Sequence, residues 1–97
     1  MLGPGKMELL ARVAETGSLS GAAGKMGMSY MRAWTLIKEL NRNSKRPMVT
    51  LSRGGASGGA AVVTAFGRKV LRLYQKMDKE SRKVAAPYGR KLLRLIG

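Results

Sequence analysis

Five polar side chains between residues 29 and 38 could form hydrogen bonds with a partner: Ser29, Tyr30, Arg32, Thr35 and Lys38. If they project from the first turns of a helix, they can reach base edges in the major groove of DNA. Arginine matches the two acceptors of guanine, and hydroxyl groups match a base or a phosphate. Arg32 could instead hold a phosphate or an acid on a neighbouring helix, and the whole set could be a solvated helix face. The pattern predicts non-covalent recognition of a polyanion.

Two further groups of residues could contact phosphates. Ser18 and Ser20 lie at the predicted amide end of a short helix, where aligned N–H groups favour an anion, although Ser18 could simply cap that helix. The second group lies in a glycine-rich segment that could follow a DNA backbone or enter its minor groove. This group comprises Arg53, Gly54, Gly55 and Ser57. A lone arginine beside a hairpin could also be solvated.

The composition favours a polyanionic partner and argues against catalysis. The chain has 97 residues and a formal net charge of +14, and it contains neither cysteine nor histidine. This excludes disulfides, thiol or imidazole nucleophiles and the usual zinc sites. The five acids are scattered or lie among lysines and arginines, so we expect no active site, metal or cofactor. Residues 54–59 imitate the glycines of a phosphate-binding loop, but Ala60 replaces its lysine, which excludes nucleotide hydrolysis.

Capping residues predict two helices in the first quarter of the chain. The first helix begins near Pro4 and ends at Gly17. The second covers about residues 19–26, with Ser18 as its N-cap and Gly27 as the left-handed residue that ends it. Together with the next helix, they predict a helix-turn-helix.

The third helix begins after Ser29 and ends near residues 41–43, and it is the candidate for the major groove. One stripe of it would face the core, formed by Met28, Ala33, Ile37 and Leu40. Small residues in the second helix would let it cross the third closely, namely Gly21, Ala22 and Ala23. Trp34 lies beside the inward stripe, and we expect it to pack against the hairpin or the first helix rather than stack on a base.

After Pro47 the sequence changes to a predicted hairpin. Two β-prone runs, residues 48–52 and 61–64, flank the glycine-rich tip. A hairpin directly after a recognition helix is typical of a winged helix. Thr64 then caps a last helix whose apolar stripe is longer than a domain of this size can cover, so we expect it to meet a second copy. The residues expected there are Val70, Leu73, Tyr74, Met77 and Val84.

The last helix is also basic, with ten lysines and arginines against two acids from Phe66 onward. Pro87 is expected to end it, so that residues 85–97 form a basic tail that either adds phosphate contacts or is disordered. The predicted fold is mainly α with a small β-hairpin: a winged helix-turn-helix with a three-helix body, a wing and a long C-terminal dimerisation helix. This domain would occupy residues 1–84, with the dimerisation helix at 65–84.

Several short segments together carry a resemblance to a known family. They are Glu15-Thr16-Gly17-Ser18, Ala22-Ala23, Gly27-Met28-Ser29-Tyr30, Ala33-Trp34, Glu39-Leu40-Asn41, Arg53-Gly54-Gly55, Gly58-Gly59-Ala60 and Thr64-Ala65-Phe66-Gly67. Through them, residues 5–79 resemble the DNA-binding domain of the molybdate-responsive, ModE-type transcription regulators, a winged-helix group related to the LysR type.

The resemblance implies dimerisation through helices outside the helix-turn-helix. Full-length members of that family carry separate C-terminal domains that bind molybdate, and these 97 residues leave no room for them. We therefore expect DNA binding without molybdate sensing, and an effector would have to bind a separate partner.

The residues and the resemblance together predict a sequence-specific transcription regulator, most simply a repressor. It would bind double-stranded DNA as a homodimer on a palindromic site and would not bind membranes. We expect it in the cytoplasm of a bacterium or archaeon, on the nucleoid, because no apolar span or secretion signal is apparent. The alternatives are a nonspecific architectural DNA-binding protein and a protein-interaction module whose last helix binds a partner regulator. RNA is a weaker expectation, since five aromatic residues offer few stacking platforms.

Overall fold

The computed structural model describes residues 3–52 and 59–97. Within these ranges the chain forms four helices and a two-stranded antiparallel hairpin. In chain order the elements are α1 (Pro4–Thr16), α2 (Leu19–Lys25), α3 (Tyr30–Arg42), β1 (Val49–Leu51), β2 (Ala61–Val63) and α4 (Ala65–Ile96). This order confirms the expected three-helix body, hairpin and long last helix.

Capping side chains and left-handed glycines set the helix ends in the helix-turn-helix, as the sequence predicted. The Ser18 and Ser29 hydroxyl oxygens each accept a backbone N–H three residues further on, at 3.0 and 3.1 Å. Gly17 ends α1 with a φ of 67°, and Gly27 turns the chain between α2 and α3 with a φ of 64°. The turn chemistry is local, which is why the sequence alone could locate it.

Aliphatic side chains fill the core, and among the described residues no polar or charged side chain is buried with them. The largest fully buried side chains are Met7, Leu9, Leu10, Val13, Ile37 and Val49. Ala33 and Leu40 are also buried and Met28 is partly so, which confirms the inward stripe of α3.

The small residues of α2 serve two different contacts. Ala22 and Ala23 are buried in the core. Gly21 instead faces the end of α1, because a Cβ atom added there would lie 3.2 Å from the Cβ atom of Thr16. The expectation that Gly21 allows α2 to approach α3 is therefore wrong. It precedes Ala22 by one residue, which on a helix turns it about 100° away from the core-facing side.

The hairpin is attached to the helical body at its base. Val49 pairs with Val63 and Leu51 with Ala61, and the Ala61 N–H donates to the Gly17 carbonyl at 3.0 Å. The end of α1 and the wing are thus joined by a backbone hydrogen bond.

Asn41 ties the last turn of α3 to the start of the wing. Its Nδ2 donates to the Val49 carbonyl at 2.8 Å, and its Oδ1 accepts the Met48 N–H at 2.8 Å and the Val49 N–H at 3.2 Å. The Asn41 side chain therefore fixes the position of the segment that connects α3 to β1.

Thr64 and Gly67 attach α4 to the same segment of chain. Thr64 Oγ1 accepts the Gly67 N–H at 2.9 Å and donates to the Pro47 carbonyl at 2.7 Å. A Cβ atom at Gly67 would lie 2.9 Å from Val63 Cγ1 and would clash with the Met48 carbonyl. Glycine at this position lets α4 begin in contact with the wing.

The predicted end of the last helix at Pro87 is wrong, since α4 continues to Ile96. Proline is compatible with helical φ, although it removes the hydrogen bond that its N–H would have donated to the Lys83 carbonyl and its ring crowds that carbonyl. Residues 90–95 are all good helix formers, and the apolar stripe continues beyond Pro87 through Tyr88 and Leu92. At about 1.5 Å per residue the helix is roughly 48 Å long, which accounts for most of the 56 Å long dimension of the molecule. None of the described helices combines the length and apolar character needed to cross a membrane.

We expect Asn41→Ala to lower the free energy of unfolding by about 1–3 kcal/mol, because it leaves the backbone groups of Met48 and Val49 without their partner. Urea denaturation measures the loss, and hydrogen exchange at the Met48 and Val49 amides locates it. Asn43→Ala is the control, since Asn43 is exposed at the same helix end. Equal losses in both variants, or unchanged exchange at the two amides, would contradict the role given to Asn41.

Candidate nucleic-acid interface

The outward face of α3 is exposed because its opposite face is committed to the core. Ala33, Ile37 and Leu40 are buried at helical spacing. Side chains on the other side therefore point away from the body, and the helix-turn-helix presents them without shielding from α1 or α2.

The predicted hydroxyl contacts mostly serve the backbone in this structure. Ser18 and Ser29 act as N-caps, and Thr35 Oγ1 donates to the Met31 carbonyl at 3.0 Å. Ser20 is exposed and forms no side-chain hydrogen bond within the described ranges. Capping uses one lone pair of each serine hydroxyl, so both still have a proton to donate.

The charged and phenolic side chains of the predicted set are exposed. Tyr30, Arg32 and Lys38 all lie on the solvent side of α3. Neither cation pairs with a carboxylate within the described part of the chain. Arg32 is therefore not bound to an acid on a neighbouring helix, the alternative that its position also allows, and both cations are available to a ligand.

Trp34 is exposed, which contradicts the expectation that it packs against the hairpin or α1. Its side chain is 38% accessible, and the ammonium group of Lys38 lies 5.3 Å from the ring centroid. The reason is geometric. Trp34 follows the fully buried Ala33 by one residue, and a step of about 100° on the helix moves it from the core-facing side to the edge of the outward face.

The cationic surface extends beyond the residues that the sequence singled out. Arg42, in the last turn of α3, and Lys45 and Arg46, in the segment before the wing, are all exposed. In the sequence these residues form a basic cluster just before Pro47. Only the fold shows that the cluster lies beside the end of α3.

Acidic side chains are largely neutralised elsewhere. Glu15 lies 2.9 Å from Arg12 and 3.9 Å from Lys25, and Glu39 lies 3.2 Å from Lys6. The hydrogen bond from Arg12 lowers the pKa of Glu15, so this carboxylate stays charged and paired at neutral pH. Four of the five acids form ion pairs, with Glu8 and Asp78 completing the set.

The wing base is described but its predicted contact residues are not. Thr50 on β1, Val62 on β2 and Ser52 just after β1 are exposed. The other predicted contacts lie outside the described residues: Arg53, Gly54, Gly55 and Ser57.

The predicted dimerisation residues divide into two groups. Val70 and Tyr74 are half-buried and pack against the core of their own subunit. Leu73, Met77 and Val84 are exposed by 70%, 57% and 69%, which is unusual for apolar side chains in successive turns. The exposed apolar stripe then continues to the end of α4 through Tyr88, Leu92, Leu93, Leu95 and Ile96.

The exposed groups on the outward face of α3 are suited to non-covalent binding. No cluster of metal-ligating side chains exists among the described residues. The outward face of α3 offers a phenol, an indole and unpaired cations, which are groups that bind phosphates and base edges.

The chain has clear relatives among bacterial regulators. Residues 5–68 match the family described as bacterial regulatory helix-turn-helix protein, lysR family. The molybdenum-pterin-binding protein MopB of Rhodobacter capsulatus is 34% identical over 91 residues, covering 94% of this chain and 34% of MopB. The DNA-binding transcriptional dual regulator ModE of Escherichia coli K12 is 36% identical over 80 residues, covering 82% of this chain and 30% of ModE. The chain thus spans about a third of the length of these relatives.

The fold has a counterpart in a solved structure. Full-length LysG from Corynebacterium glutamicum with bound effector Arg superposes with a TM-score of 0.71 at 20% identity, covering 94% of this chain and 29% of LysG. The superposition confirms the winged helix-turn-helix fold, and the sequence matches confirm the resemblance to ModE-type regulators. The chain belongs to the lysR family of bacterial regulatory helix-turn-helix proteins.

Proposed function

We propose that this chain is a DNA-binding transcription regulator that binds double-stranded DNA as a homodimer. Helix α3 enters the major groove, and the wing lies along the adjacent backbone. The observation that carries the proposal is the outward face of α3, where Tyr30, Arg32 and Lys38 are exposed and neither cation has a carboxylate partner in the described part of the chain.

Charge supplies affinity in this proposal, and α3 supplies the choice of site. The formal charge of +14 attracts any duplex, and each phosphate neutralised contributes about −0.9 to the slope of log affinity against log salt. Base contacts from the first turns of α3 then discriminate between sequences. Hydroxyl groups add further hydrogen bonds, since each can donate one to a phosphate or a base. These are the hydroxyls of Ser18, Ser20, Ser29 and Thr35. The Thr35 hydroxyl must first rotate away from the Met31 carbonyl.

We expect Arg32→Ala and Lys38→Ala each to weaken binding of a selected duplex by about 1–3 kcal/mol, because each removes an unpaired cation from the α3 face. Fluorescence anisotropy with a labelled duplex, in the presence of random competitor DNA, measures the change. Lys83→Ala is the matched control: it removes the same charge from an exposed site on α4.

The comparison of the three variants separates this function from its rivals. Equal, small losses in all three, with equal retention on selected and random duplexes, would favour an architectural protein. The exposed basic side of α4, with Arg68, Arg72, Lys76, Lys79 and Lys83, is the observation that favours this rival. Unchanged DNA binding in all three would favour a protein-interaction module.

The dimer contact is proposed to be the apolar stripe of α4. Leu73, Met77 and Val84 are exposed in the single subunit, whereas a helix of this length in a small monomer would not carry an uncovered apolar stripe. Val70 and Tyr74 lie at the junction between this stripe and the subunit core.

The spacing of the stripe indicates an antiparallel pair. Two pairs of its exposed apolar positions are symmetric about the peptide bond between Glu80 and Ser81. Met77 and Val84 are equally far from that bond, as are Leu73 and Tyr88. A twofold axis at this bond would place each residue beside its counterpart in the partner, so the second half of each α4 would cover the first half of the other. The two copies of α3 could then lie about one DNA turn apart, roughly 34 Å or a multiple of it.

Cysteine cross-linking tests this register cleanly, because the chain has no cysteine of its own. We expect Ser81→Cys to form a disulfide-linked dimer on mild oxidation, since its two copies meet near the twofold axis. Leu73→Cys and Tyr88→Cys chains should cross-link when mixed and should not do so alone. Non-reducing gel electrophoresis measures the yield.

Lys83→Cys, about 100° around α4 from Val84 and outside the stripe, is the control and should stay monomeric on the gel. Efficient self-linking of both Leu73→Cys and Tyr88→Cys would indicate a parallel pair. Absence of any stripe-specific cross-link would remove α4 as the dimer contact.

The proposed effect of the bound dimer is repression of transcription. A dimer seated on promoter DNA would block other proteins from that site, so repression is the simplest outcome. It would act in the cytoplasm of a bacterium or archaeon, where the nucleoid is accessible.

A further inference from the structure

The outward face of α3 contains an apolar cluster among its polar groups. Tyr30, Met31 and Trp34 are exposed by 48%, 64% and 38%. They are spaced three and four residues apart around Trp34, so their side chains are neighbours on the helix surface. None of the three belongs to the core or to the partly buried side chains packed against it.

Neighbouring side chains restrict the position of the Trp34 ring. The Lys38 ammonium group lies over its ring at 5.3 Å from the centroid, a cation–π contact. The ring also borders a shallow depression of about 530 Å³ whose other walls are Thr35, Asn41 and Arg42. Asn41 is itself fixed by its hydrogen bonds to the wing, so one wall of the depression is rigid.

An apolar cluster on a helix that enters the major groove has one chemical complement there. The 5-methyl group of thymine is the apolar feature that the base pairs present in that groove, and it is contacted by apolar side chains. Amide, hydroxyl and charged groups, including those of the cations that flank Trp34, form no favourable contact with a methyl group. The indole edge can bury it.

We propose, on the basis of the DNA-binding function above, that Trp34 is a specificity-determining residue that packs against a thymine methyl group. Met31 and Tyr30 flank the contact. Lys38, held by the ring, points its charge towards the phosphate or base acceptors beside that thymine.

The direct test replaces thymines one at a time with deoxyuridine in the tightest duplex recovered from random DNA, which removes the methyl group and nothing else. We expect about fourfold weaker binding at one or two positions per half-site, the value of one buried methyl group. Trp34→Ala should bind more weakly and should no longer distinguish thymine from deoxyuridine at those positions. Arg32→Ala is the matched control: it should bind more weakly yet keep the discrimination.

A second measurement needs no variant. With 5-iodouracil in place of the same thymine, irradiation should cross-link the duplex to Trp34, the single tryptophan of the chain, and mass spectrometry of the peptide identifies the residue. Cross-linking to another residue, with no deoxyuridine effect at any position, would overturn the Trp34 contact while leaving DNA binding intact. Failure of the chain to prefer any duplex over random DNA would instead overturn the proposed function and this inference with it.

Discussion

The relative placement of α3, the wing and α4 depends on one short segment, residues 47–49, where the three elements meet. Asn41 anchors the end of α3 there through three hydrogen bonds. Thr64 and Gly67 anchor the start of α4 to the same segment, one by hydrogen bonding to Pro47 and the other by leaving room for the Met48 carbonyl. Helix α3, the wing and α4 are therefore oriented relative to one another by a few short-range contacts. In the proposed dimer, this junction would relate the position of α4 to the position of α3 on DNA.

Charge is distributed to suit the same geometry. Four of the five carboxylates are in ion pairs, and every one of these pairs except that of Asp78 includes a residue of α1. The outward face of α3 and the exposed basic side of α4 carry cations instead. Because the core contains only apolar side chains within the described residues, folding does not require any of these cations to be desolvated. They therefore stay hydrated and available for phosphates.

Much of this fold could be predicted from the sequence because its signals are local. Ser18, Ser29 and the left-handed glycines act within a few residues, and helical spacing located the core face of α3. The errors came from positions where tertiary structure decides. Size and proximity predict that Trp34 packs inward, although one residue of helix rotation places it outside. Pro87 predicts a helix end, although α4 and its apolar stripe both continue beyond it.

The candidate site was only partly accessible to sequence reasoning for the same reason. Tyr30, Arg32 and Lys38 can be grouped from the sequence because they share one helix, and the structure shows all three exposed. The junction role of Asn41 cannot be read from the sequence, since its partners lie on another element and no local pattern marks them. The backbone bonds of Thr35 and the two N-caps likewise emerge only from the structure, and the proposed DNA contacts of these hydroxyl groups stay predictions.

The central claim is that a paired molecule presents two copies of α3 to one duplex. Selection of bound duplexes from random DNA, followed by sequencing, measures this most directly. We expect an enriched, inverted-repeat site whose half-sites are separated by about one helical turn or a multiple. Enrichment of a single asymmetric half-site, or of no sequence at all, would contradict it.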